Sequence, residues 1–449
     1  MGPMIYNPTA LVLLAVAYIL ALLVVLRWPS VGVALVLAVP VTKSLIQMRV
    51  GPILQDYTFD VGVAILAIVG ALIHRLRSGT ANYAPVPVFI IIAWFVIAAL
   101  MWVMLPMSRS PDYGFKKATI FSIYNTMAVT AVVLYVVSAH EVRALMRVIV
   151  AIGIVVSASM PLFGVGLYRV EGARQTLGLV NPLAIADFSS WAALILISGL
   201  IQFGGVGRLV GLVLFAPLSI LAIFLSQTRF PLFAVPVILL VMLWMYRHRI
   251  NFRVASSIVI GLGAVAWVAS LLITPTRGGD RFSTGAIQAG LDVRAQMFRM
   301  TMHGFLRSPV LGNGTGDTSF QLTGSPTEER YPHNSLIEIA NELGAIGAAA
   351  WLTIFIYALV VGWRFQRVAR IAKPGTYFAL VTAYALMLYT FMGSFKAGGY
   401  FGLASMYMAV MMVIALHVAL RRELERYRMA PTAIPVPAGG FRVAGAVTA

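Results

Sequence analysis

Residues 331–363 read YPHNSLIEIANELGAIGAAAWLTIFIYALVVGW, a polar segment that runs without a break into a long apolar one. The polar part begins near Thr274 and closes on Pro332, His333 and Asn334, and the apolar part runs from 335 to about Trp363. On either side of this junction the chain is a series of hydrophobic stretches with short connectors. A long hydrophilic excursion that ends on a histidine at the mouth of a membrane span is where a reaction would be placed.

The composition excludes a soluble fold. Of 449 residues, 60% are hydrophobic and only 11% charged, and the mean hydropathy is +0.90; a soluble surface carries far more charge. Apolar runs of bilayer length fall at about 9–26, 31–47, 57–73, 86–105, 117–138, 144–165, 184–203, 208–225, 231–246, 254–273, 335–363, 376–394 and 400–419. Arg27-Trp28-Pro29-Ser30 joins the first two, which leaves room for one span plus a re-entrant piece, so about twelve transmembrane helices are expected. The fold class is an all-α polytopic membrane protein. Its expected parts are N-terminal helices over 1–273, one large loop over 274–334, C-terminal helices over 335–429, and a disordered tail over 430–449. The first apolar run lacks a preceding basic residue and a small-residue cleavage site, so it reads as a retained helix. There are no cysteines.

The net charge of +18 is partly a topology signal, because Lys and Arg collect on the cytoplasmic side. Basic connectors at 74–77, 143–147, 208, 246–253, 364–373 and 421–428 share one side if the spans alternate, which puts the C-terminus in the cytoplasm. The opposite loops are basic as well, with Arg109, Lys116, Lys117, Arg169, Arg174, Arg229, Arg277, Arg281, Arg294, Arg299, Arg307 and Arg330. Arginines at helix ends often snorkel to headgroups. An excess on the outer side also suits an anionic ligand at the membrane boundary, because guanidinium grips phosphate through two parallel hydrogen bonds and stays charged.

Of six histidines, His74, His140, His248 and His417 flank the cytoplasmic helix ends. His303 falls in DVRAQMFRMTMHGFLRSP, whose apolar Leu291, Met297, Phe298, Thr301, Phe305 and Leu306 predict an amphipathic helix lying on membrane lipids. His333 is the better candidate for chemistry. Asn334, Glu338 and Glu342 follow it at a spacing of four, on one helical face beside Asn341. Carboxylates in an apolar span need a cavity or a partner; pairing or helix register accounts for Glu342 more readily than for Glu338. Gly344 and Gly347 read as residues that let helices approach closely. Arg229 sits between two spans joined by almost no loop, in SQTRF. No metal-ligand spacing, nucleophile triad or basic–aromatic array for nucleic acid is present, and Gly312-Asn313-Gly314-Thr315-Gly316 reads as a turn.

The ordered set SQTRF, then an arginine nine residues before HGFLRSPVLGNGTGD, then PHNSLIEIANELGAIG, resembles the O-antigen ligase and O-antigen polymerase (Wzy_C) superfamily. GARQTLGLVNPLAIADF is also similar, and the resemblance covers roughly 165–395. It implies a metal-independent, inverting glycosyltransferase of the bacterial inner membrane, with a GT-C-type fold and its active site on the periplasmic side. The implied donor is a glycan on undecaprenyl diphosphate. The implied acceptor is a sugar of the lipid A–core oligosaccharide in ligases, or another lipid-linked repeat in polymerases. By position, His333 matches the catalytic histidine, Arg229 and Arg294 match the diphosphate-binding arginines, and Arg174 is a weaker match. Thr228 stands where the family often has serine. No cofactor is implied.

A neutral imidazole suits deprotonation of a sugar hydroxyl near pH 7, and arginines can stabilise a departing diphosphate. In this reading Glu338 or Asn334 orients the His333 ring. Ligase is favoured over polymerase by the moderate loop and its basic interfacial helix. A protein-glycosylating ligase is a smaller option. A lipid-linked glycan transporter is the reading from another class, and the lack of charge near the span centres weighs against it.

Overall fold

The computed structural model describes residues 8–50, 58–79, 86–163, 180–226, 228–250, 256, 263, 284–369, 373–396 and 399–429. The expected span at 254–273, the expected tail from 430 and Arg174 lie outside them or nearly so. Every regular element among the described residues is helical. Among the described residues, eight helical segments are long and apolar enough to cross a membrane, and shorter apolar helices accompany them. The chain is a polytopic helical membrane protein.

The N-terminal helices are α1 (Pro8–Arg27), α2 (Pro29–Val50), α3 (Thr58–Arg77) and α4 (Val88–Val103). Pro29 starts α2 at a position where its missing N–H costs nothing, so the first two apolar runs are separate helices. On α4, Ile90, Trp94, Ile97 and Met101 are buried while Val88, Ile92, Phe95 and Val103 are exposed. Apolar residues on both faces are what a lipid-facing helix requires.

Next come α5 (Pro111–Thr119), a wide π turn (Ile120–Asn125) and α6 (Thr126–Tyr135), which together form one span of 25 residues. It begins six residues before the apolar run does, because Pro111 pre-sets the first helical turn. That difference carries Lys117 from an expected outer loop into the bundle. After α7 (Ala139–Phe163) and α8 (Pro182–Phe203) follow α9 (Val206–Leu225) and α10 (Phe230–Tyr246). α7 and α8 pack closely at Gly153, where a Cβ would overlap the Phe188 carbonyl oxygen, and the Ser157 and Ser189 hydroxyls pair at 2.7 Å.

The expected interfacial helix is α11 (Thr284–Arg307), followed by the short α12 (Asp317–Thr323). Its apolar residues divide: Thr301 is buried and Met297 and Phe305 are half-buried, while Leu291, Phe298 and Leu306 are exposed. The last helices are α13 (Ser335–Ala369), α14 (Pro374–Ser394) and α15 (Ala404–Met429).

At 35 residues α13 is longer than a membrane needs, and it breaks at Gly344, where φ is 66° and ψ −169°. Only glycine adopts that conformation readily. The segment 309–314 crosses the break and satisfies the freed backbone: Ala345 N–H donates to the Pro309 carbonyl at 2.8 Å, and the Asn341 and Glu342 carbonyls accept from Asn313 and Gly314 at 2.8 and 3.2 Å. The close approach at Gly344 is therefore loop to helix rather than the expected helix to helix. The same loop docks on the α4–α5 corner, where Thr315 Oγ1 donates to the Met101 carbonyl at 2.7 Å. Arg109 grips Asp317 with two bonds of 2.8 and 2.9 Å.

Beneath this loop the bundle holds a buried charge cluster. Lys117 Nζ lies 2.6 Å from Glu338 Oε1 and 2.7 Å from both Glu342 oxygens, and all three side chains are fully buried. Tyr400 donates its N–H to Glu338 Oε2 at 3.2 Å and its hydroxyl to Glu342 Oε2 at 3.1 Å. Burial, and then the two carboxylates, hold the Tyr400 phenol well above its usual pKa, so it stays a donor.

Two substitutions test these devices. Gly344→Ala meets both a positive φ and the Val310 carbonyl, and should cost about 2–4 kcal/mol. It should lower the melting temperature of the purified protein in detergent, whereas Gly290→Ala, where a Cβ meets nothing within 4 Å, should not; equal melting curves would refute the account. Lys117→Met leaves two carboxylates without their cation and should cost about 3–5 kcal/mol. Lys117→Met with Glu338→Gln and Glu342→Gln should recover part of the melting temperature, and no recovery would count against charge imbalance as the cause.

Candidate active site

His333 stands between Pro332 and the first turn of α13 with φ 56°, the one non-glycine residue with positive φ among the described residues. Such a backbone is uncommon outside glycine and marks a position held by its surroundings. Asn334 supplies part of the hold: its Oδ1 accepts from Leu336 and Ile337 N–H at 3.1 and 3.2 Å, an N-cap in both sequence and geometry. Ser335 Oγ adds a bond to the Ser394 carbonyl at 3.0 Å. The loop thus turns sharply and presents the imidazole beside the connector between α14 and α15.

There, His333 Nδ1 lies 2.9 Å from the Lys396 carbonyl oxygen. A carbonyl only accepts, so Nδ1 carries the proton and donates, which leaves the lone pair on Nε2. The Tyr331 ring packs edge-on, with centroids 4.7 Å apart. Burial pushes the His333 pKa below its ordinary value; the Lys396 carbonyl opposes that, and the charges of Arg294 and Lys396 add to it. The ring is half-buried, fixed in tautomer and neutral at pH 7. These are the attributes of a general base.

The cations around it come from separate elements. Arg294, exposed on α11, is near enough for its charge to act on His333. Arg229 precedes α10 and is half-buried. The next residue, Phe230, has its ring 5.1 Å from Lys396 Nζ and 5.2 Å from the Tyr389 ring. Lys396 therefore joins the two halves, its carbonyl on His333 and its ammonium over the start of α10. Sequence reasoning passed over Lys396, a lysine in a short outer connector, because the bond that matters comes from its backbone and leaves no mark on residue type.

Glu338 is elsewhere. Its carboxylate belongs to the cluster with Lys117 and Tyr400, and the His333 ring takes its orientation from Lys396 instead. Asn334 shapes the backbone and does not touch the ring. Asn341 is likewise internal: it donates to Thr318 Oγ1 at 2.8 Å and accepts from Asn313 Nδ2 at 2.9 Å, tying the loop to α13. Arg109 and Lys116, two of the outer basic residues, are paired with Asp317 and Glu329. His303 is exposed near the end of α11. The signal for Lys117 was present in the Glu338–Glu342 spacing, which calls for a buried cation without saying which.

Comparison with known proteins adds one finding. No curated protein matches the chain. Residues 212–352, the stretch that carries Arg229, Arg294, His333 and Glu338, match the Wzy_C family model, described as O-antigen ligase.

Proposed function

We propose that the protein is an O-antigen ligase, which transfers a glycan from undecaprenyl diphosphate to a sugar hydroxyl of lipid A–core. The observation that carries this reading is the His333–Lys396 contact, which leaves a neutral Nε2 next to the charge of Arg294. His333 Nε2 takes the proton of the acceptor hydroxyl as its oxygen attacks the anomeric carbon. The bond from that carbon to the diphosphate oxygen breaks with inversion, and the electron pair leaves on the diphosphate. Arg229 and Arg294, with Arg174, hold that growing charge, and Lys396 contributes a further cation. Diphosphate is a good leaving group once so neutralised, and no metal is needed in this scheme. Asn334 and Glu338 act as positioning residues, Asn334 through the cap and Glu338 through Tyr400 and its loop.

The eight long spans, with the four shorter apolar helices and the residues over 254–273, would make twelve or thirteen crossings in a GT-C-type fold. The basic connectors at the end opposite His333 support a cytoplasmic assignment for that end, which puts the reaction on the periplasmic face of the inner membrane. The exposed apolar residues of α11 suit contact with membrane lipids.

The assay uses purified protein and an undecaprenyl diphosphate-linked glycan in EDTA, with lipid A–core in one arm and no second acceptor in the other. Transfer to the core is expected; lengthening of the lipid-linked glycan without core would make the protein a polymerase, and no reaction in either arm would count for transport. His333→Ala should lose about a hundred- to ten-thousand-fold in kcat, and near-normal turnover would remove His333 from the chemistry. Because the imidazole must be neutral to act and its pKa is lowered, kcat/KM should hold through neutral pH and fall only on the acid side of the ordinary histidine range, where His333 takes up its proton. Lys396→Met removes one of the charges that depress this pKa, so its acid limb should move to higher pH; an unmoved limb would show that another group sets it.

A further inference from the structure

A carboxylate lies within reach of the Lys396 charge, and the transfer scheme gives it no part. Several acids at the loop end of the bundle are committed to a cation: Asp60 to Lys43, Asp317 to Arg109, Glu329 to Lys116, and Glu338 and Glu342 to Lys117. Asp187, in the second turn of α8, bonds a neutral group instead. Half-buried, it accepts from the Tyr389 hydroxyl at 2.8 Å through Oδ1, and it lines a polar cavity shared with Lys43, Asp60 and Tyr124. From Tyr389 the contacts lead on to the histidine. The Tyr389 and Phe230 rings meet at 5.2 Å, Lys396 Nζ stands 5.1 Å over the Phe230 ring, and the Lys396 carbonyl holds His333 Nδ1 at 2.9 Å. The Lys396 charge reaches Asp187 as well as His333.

The need for an anion follows from the site's own charges. A base that accepts a proton becomes a cation, and His333 would do so under the charges of Arg294 and Lys396, which disfavours the step. Catalytic triads meet that demand with a carboxylate on Nδ1. Here Nδ1 faces a neutral carbonyl, so anionic support has to come from further away. The Lys396 side chain is placed to relay it: its backbone is on His333, while its ammonium lies over Phe230, the ring that packs on the hydroxyl partner of Asp187. Around the imidazole the charged or titratable groups are Arg294 from α11, Lys396 from the connector and Tyr331 from the preceding loop. Around Asp187 they are Tyr389 from α14 and, across the cavity, Lys43 from α2, Asp60 from α3 and Tyr124 from the π turn. Lys43 is already taken by Asp60 at 3.1 Å, which leaves the Asp187 charge to act on Lys396.

We propose that Asp187 is a positioning residue for His333 that acts through Lys396: its carboxylate draws the ammonium toward α8 and offsets its charge at the imidazole. The catalytic use of this device rests on the transferase reading; the charge relation does not. The test titrates His333 by NMR in the full chain in nanodiscs with 13C-labelled histidine rings, and the spectrum of His333→Ala identifies its signal. Asp187→Asn, which keeps its size and the Tyr389 bond, leaves the Lys396 charge uncompensated and should move the His333 titration to lower pH by about half a unit. Asp187→Ser, also uncharged, should move it the same way, so the test survives if one of the two variants fails to fold; unmoved signals from the other five histidines and the melting curve identify the folded ones. Lys396→Met keeps the backbone carbonyl on Nδ1. In that background Asp187→Asn should have little further effect, the non-additivity expected of two residues on one route. A titration that is unmoved or raised in the folded Asp187 variants would overturn the proposal, and so would an equal displacement with and without Lys396. If transfer is observed, the acid limb of kcat/KM should follow the NMR displacement. The expected titrations without transfer in any assay would instead defeat the ligase reading and leave the role of Asp187 standing.

Discussion

The loop end of this protein depends on one fully buried lysine held between two glutamates. Lys117 belongs to α5, Glu338 and Glu342 to the first turns of α13, and Tyr400, which completes the cluster, to the connector before α15. Three segments distant in sequence are joined at a point where a missing charge would be costly. α13 begins two residues after His333, so the start of that helix, the turn before it and the connector that carries Lys396 share one anchor. The imidazole can be aimed to within a hydrogen bond's tolerance because the elements on both sides of it are fastened to the same ammonium.

Around that anchor the charges fall into separate groups. Lys117 and its glutamates lie inside the bundle, Arg109–Asp317 and Lys116–Glu329 fasten the large loop to the α4–α5 corner, and Arg294 and Lys396 act on the imidazole. The excess of positive charge on this side is therefore a mixture of structural and site residues. Only geometry separates them: a bidentate grip on a buried carboxylate marks the first kind, and an approach to an imidazole marks the second.

The helical fold was legible because an uninterrupted apolar run of bilayer length is rarely anything but a membrane helix. His333 stood out in the sequence because, of the six histidines, only His303 and His333 fall in the large loop, and only His333 closes that loop at the start of a span. Asn334 was recognisable as polar and well placed, yet its capping role had to await the helix start. Three features stayed hidden for physical reasons. The tautomer of His333 is set by a backbone carbonyl, and every residue has one. Lys117 sits deeper than its hydropathy suggests, since its cost is cancelled by carboxylates more than two hundred positions away. The break at Gly344 could be read as a packing glycine because a missing side chain has the same signature whether a helix or a loop fills the space.

The left-handed backbone at His333 has a consequence for how such a site can vary. Most L-residues resist that conformation, and β-branched ones resist it most; glycine accepts it, and asparagine, aspartate and histidine tolerate it. The turn therefore narrows the alphabet before any chemistry is selected, and of the tolerated residues only histidine offers a neutral base near pH 7. Drift at this position is confined to a few side chains, nearly all inert as bases under those conditions. A chain that exchanged the histidine for one of the other tolerated residues would keep the fold intact, distinguishable from this one by one residue and by nothing in its shape.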